Sequence, residues 1–65
     1  MTEAERLAVF AMEHFPEVVG DEADPLVVGR LLVSRCTAGP SLWTGQRILK
    51  ALGVLVEPDS AGRPS

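Results

Sequence analysis

His14 and Cys36 are the only imidazole and the only thiol in this chain, and their isolation limits the chemistry open to them. Nucleophilic catalysis needs a serine or cysteine beside a base that a carboxylate orients. No spacing here gathers such a set, and His14 falls at the rim of its helix as a surface or boundary residue. Zinc takes three or four ligands at recognisable intervals, which one histidine and one cysteine do not supply. Gly39, Gly45 and Gly53 do not follow a strand in the pattern of a phosphate-cradling loop. The residue kit points away from an enzyme, a metal and a cofactor, and toward binding. Trp43, Gln46, Arg47 and Lys50 are an aromatic, an amide and two cations whose spacing gathers them on one side of a helix. Glu13, Glu17, Asp21, Glu22 and Asp24 form a second, acidic set, suited to a basic partner surface or simply to solvation.

These side chains need elements to hold them. Thr2 followed three residues later by Glu5 is a capping box, so a first helix is predicted over about residues 3–15. Ala4, Leu7, Ala8, Ala11, Met12 and Phe15 share one face of it, with Glu5, Arg6 and Glu13 opposite. Pro16 closes the helix, because the residue before a proline is pushed out of the helical region. Residues 17–24, with Gly20 and four acids, read as a loop with room for a helical turn around Val18 and Val19. Asp24 as N-cap and Pro25 at the first helical position open a second helix over about 25–36. Apolar residues cover most of its circumference, apart from Arg30, Ser34 and Arg35, which suits the buried centre of a fold.

Residues 37–41 contain Gly39 and Pro40 and read as a turn into a third helix over about 40–52, with Gly53 placed for a left-handed cap. Leu42, Ile48, Leu49 and Leu52, with Gly45 among them, form its inward face. Trp43, Gln46, Arg47 and Lys50 are left on the other side. Residues 54–57 read as an edge strand, 58–62 as a turn and 63–65 as a frayed tail. The expectation is a mainly α fold: one domain over 1–62, a compact three-helix bundle with a short C-terminal strand.

A chain of 65 residues buries little of its surface, so its core is thin and a dimer or other partner would add stability. With 46% hydrophobic and 23% charged residues the composition is that of a folded globular domain. A single cysteine asks for no oxidising compartment, and the acidic start is unlike a signal peptide. No apolar run approaches a membrane span, so a cytoplasmic protein away from membranes is expected. The net charge of −3 weighs against a simple nucleic-acid binder, but it hides an asymmetry. Residues 1–24 hold seven carboxylates against Arg6 alone, a balance of −6, whereas 25–65 hold five cations against two carboxylates, a balance of +3.

The segment 28–63 resembles a winged helix-turn-helix domain of the bacterial or phage kind. The likeness lies in a helix (VGRLLVSR), a turn (CTAG), a second helix (PSLWTGQRILKALG) and a strand and turn (VLVEPDSAGR), above all in RILKALGVLVEP and the later Gly62 and Arg63. Two positions depart from the pattern: Arg35 stands where a small residue usually faces the partner helix, and Gly45 where an apolar one is usual. The resemblance implies a helix-turn-helix core with a truncated wing, acting in transcription regulation as a DNA-binding protein. Its third helix would enter the major groove. Gln46 would then face an adenine edge and Arg47 a guanine, Lys50 or Arg30 would meet phosphates, and Arg63 would reach the backbone or minor groove. The same run of Gln46, Arg47 and Lys50 also fits a solvated helix face.

Trp43 is open in a similar way. It is either an interface anchor or a ring folded back onto the first helix or the strand, and the thinness of the core favours the second. The rival function is a phage-type protein-interaction module or inhibitor that binds a host protein complex through Trp43 or through Glu13, Glu17, Asp21, Glu22 and Asp24.

Overall fold

The computed structural model describes residues 1–54. Four helices follow one another: α1 (Glu3–His14), α2 (Pro16–Val19), α3 (Pro25–Arg35) and α4 (Gly39–Ala51). Among the described residues there is no strand, and the predicted strand 54–57, wing and tail lie outside them except for Val54. No helix among the described residues is long and apolar enough to cross a membrane.

Local chemistry sets each helix end. The Thr2 hydroxyl accepts from the Glu5 amide at 3.2 Å and the Glu5 carboxylate accepts from the Thr2 amide at 2.8 Å, so two donors at the start of α1 are satisfied reciprocally. The hydrogen bonds from Thr2 hold the Glu5 carboxyl below its ordinary range. At the other end Phe15 takes φ −129° and ψ 51°, outside the helical region, as the residue before Pro16 must. The Asp24 carboxylate caps α3 through the Leu26 amide at 3.0 Å, and Pro25 begins the helix. Gly53, at φ 76°, closes α4: its N–H bonds to the Lys50 carbonyl and that of Val54 to the Leu49 carbonyl, the paired bonds of a left-handed helix cap.

The helical turn expected around Val18 and Val19 is present. Pro16–Val19 makes one helical turn, with Val19 buried at 3% exposure and Val18 half-buried against the core. Arg35 is exposed and reaches α2, donating through Nη1 to the Val18 carbonyl at 3.3 Å.

The core is narrow. Val28 and Leu32 of α3 and Ile48 of α4 are fully buried, and α1 covers them with Ala4, Ala8 and Ala11, while Leu7, Met12 and Phe15 pack at the edge. Alanines on the buried stripe let α1 lie close to both α3 and α4. The joint between α3 and α4 is closer still and is built on glycine. A Cβ at Gly45 would stand 2.6 Å from the Leu32 Cβ, and one at Gly29 would stand 2.9 Å from the Leu49 Cδ2. At Gly45 the backbones approach too closely for a larger residue.

Candidate nucleic-acid interface

Which way α4 faces is decided by its buried side. Thr44, Gly45, Ile48 and Leu49 are buried, so Trp43, Gln46, Arg47 and Lys50 are turned outward and exposed. Thr44 is a buried polar residue at 1% exposure, and its hydroxyl donates to the Pro40 carbonyl at 2.8 Å, which offsets the cost of taking it out of water. The expected inward face is corrected at one position. Leu52 is 41% exposed, because the helix ends at Ala51 and Leu52, its cap residue, lies past the last turn over the core.

Trp43 is corrected as well: at 55% exposure it is not part of the core. Its ring borders a shallow groove of about 400 Å³ between α4 and α1, lined also by Glu3, Arg6, Leu7 and Phe10. Phe10 is 41% exposed, stacks on His14 with ring centroids 4.1 Å apart and meets Phe15 edge-on. His14 Nδ1 lies 3.0 Å from the Phe10 carbonyl, which can only accept, so the proton sits on that nitrogen. His14 is thereby a side chain fixed on the outside of α1, while Cys36 is half-buried at the end of α3. Among the described residues no group of three or more potential metal ligands converges.

Arg47 is held on two sides. Its Nε donates to Glu3 Oε2 at 2.9 Å, and its guanidinium carbon stands 5.4 Å from the centre of the Trp43 ring. Lys50 shares a second hollow of about 330 Å³ with Glu3, Arg47 and Ala51. The fold therefore gathers Trp43, Arg47 and Lys50 and adds Glu3 to them, a residue 44 positions away from Arg47 that no local pattern singles out. Gln46 is exposed on the same helix, and Arg30 is exposed on α3 but lines neither hollow. Arg63 lies outside the described residues.

The acidic set is partly committed to structure. Asp24 caps α3, and Glu22, half-buried, accepts from the Asp24 amide at 3.4 Å. Glu13, Glu17 and Asp21 are exposed on α1, on α2 and in the loop that follows.

Fold and surface together define a small, mainly helical protein with an outward aromatic and cationic patch on its last described helix. Comparison of the chain with models of protein families, with curated proteins and with solved structures finds no match.

Proposed function

We propose that this chain is a small non-enzymatic DNA-binding regulator whose α4 enters the major groove. The observation that carries the reading is the geometry of α3 and α4. Three residues, 36–38, join them, two glycines pack them closely, and the outer face of α4 exposes an amide, two cations and an aromatic ring. A helix bearing such groups matches the width and the hydrogen-bonding pattern of the major groove. In this reading Gln46 and Arg47 face base edges, Lys50 and Arg30 meet phosphates, and Trp43 packs at the edge of the contact. The acidic balance of residues 1–24 works against binding, and the basic balance of 25–65 provides the attraction. The ion pair of Arg47 with Glu3 is half-exposed, at 51% and 45%, and such pairs contribute only about 0–1 kcal/mol, so a phosphate displaces it at little cost. One module of this size makes few contacts, so the proposal includes a homodimer on paired half-sites, in the cytoplasm.

The test is fluorescence anisotropy with labelled duplexes. Affinity should fall steeply with salt, and Arg47→Ala with Lys50→Ala should weaken binding by about tenfold or more. Unchanged affinity of the double variant for every duplex tested would overturn the reading.

A second reading is favoured by one observation, the exposure of Trp43 and Phe10 around the groove between α1 and α4. In it the chain is a protein-interaction module, such as a phage-type inhibitor of a host complex, with Trp43 as anchor. It requires Trp43→Ala to abolish capture of a defined host protein, and tight binding to a DNA site with no protein captured removes it.

A further inference from the structure

We propose that Glu3 is a built-in competitor for the DNA-contacting face: its carboxylate occupies Arg47 in the unbound protein, and a phosphate or base edge must displace it. The inference rests on reading α4 as the DNA-contacting helix. Glu3 comes from the first turn of α1, yet its carboxylate bonds the Arg47 Nε at 2.9 Å, and the pair borders the hollow that Lys50 also lines. An incoming anion bound by Arg47 and Lys50 would approach the place where Glu3 already supplies one. Trp43, against the guanidinium, keeps Arg47 beside the carboxylate.

Because the pair is half-exposed, the competition is shallow. It lowers affinity without abolishing binding, and Arg47 goes to the ligand that offers it more than one carboxylate does. A charged guanidinium with two acceptors to choose from makes the shorter, charge-assisted bonds to the better-placed one. Two acidic effects need separating. Competition for Arg47 acts only while Arg47 is present, whereas plain repulsion between Glu3 and the phosphates acts with or without it.

A double-variant cycle separates them, with affinity for a short random-sequence duplex read by anisotropy at low salt and folding checked by circular dichroism. Glu3→Gln keeps the shape of the side chain and removes its charge. It should raise affinity roughly two- to fivefold in the wild-type background, in line with an exposed pair, and distinctly less in an Arg47→Gln background, where repulsion alone acts. An equal gain in both backgrounds, or no gain in either while Arg47→Gln weakens binding, overturns the competitor role and leaves the DNA reading standing. Equal affinity of wild type and Arg47→Gln overturns the competitor role, because Arg47 then makes no contact to compete for, and absence of duplex binding by wild type at low salt overturns the DNA reading and the competitor role with it.

Discussion

The carbonyl oxygen of Gly29 stands 3.0 Å from the point where a side chain on Gly45 would begin, so α3 and α4 meet backbone to backbone. That contact holds the outward face of α4 in place, because any residue larger than glycine at 45 pries the two helices apart.

Gly45→Ala should therefore destabilise the fold. Alanine gains about 1 kcal/mol of helix propensity over glycine, but forcing a methyl against Leu32 and the Gly29 backbone costs about 1–3 kcal/mol. Gly29→Ala should cost less, since its new methyl would meet the ends of the Leu49 and Ile48 side chains rather than backbone. Denaturant titration of both variants checks the order, and a Gly45→Ala protein more stable than wild type would contradict the close joint.

Leu32 is fully buried at the centre of a thin core. Leu32→Ala should cost about 2–5 kcal/mol, against a total of roughly 3–10 kcal/mol for a chain of this length. The variant should be partly unfolded at room temperature by circular dichroism, and a loss under about 1 kcal/mol would place Leu32 outside the core.

Thr2→Ala removes one half of the capping box and should cost about 1 kcal/mol. The Glu5 carboxyl lies below its ordinary value in the folded chain, so its contribution is fully present above the ordinary glutamate range and is lost as the pH falls through the lower folded value. In Thr2→Ala the backbone N–H of residue 2, the larger cause of the lowering, remains, so an NMR titration should find the Glu5 carboxyl moved only part of the way back toward that range, and this acid-side loss of stability should shrink only in part.

Trp43 should fluoresce as a solvated indole, open to added quencher, and Trp43→Ala should change stability by less than about 1 kcal/mol, where a buried tryptophan would cost about 3–5. Binding of a duplex across α4 should shield the ring. A blue-shifted, quencher-resistant emission from the unbound protein would show that the ring is covered.

What could be read from the amino acids alone is what neighbours along the chain decide. Thr2 with Glu5, Phe15 before Pro16, Asp24 with Pro25, and Gly53 after Lys50 each act within a few residues, so helix starts and stops are written locally. The periodicity of α4 likewise separates Ile48 and Leu49 from Gln46, Arg47 and Lys50. Tertiary structure decided the rest. Trp43 was expected to complete the core, but the alanines of α1 sit close enough to fill it with Val28, Leu32 and Ile48, which leaves the indole at the surface. The turn around Val18 and Val19 was legible, but the burial of Val19 in the core was not. Glu3 reaches Arg47 across 44 residues, and Gly45 is required by a backbone on another helix. These relationships depend on how far apart the packed helices come to rest, a distance set by the side chains of both partners and therefore carried by neither segment alone.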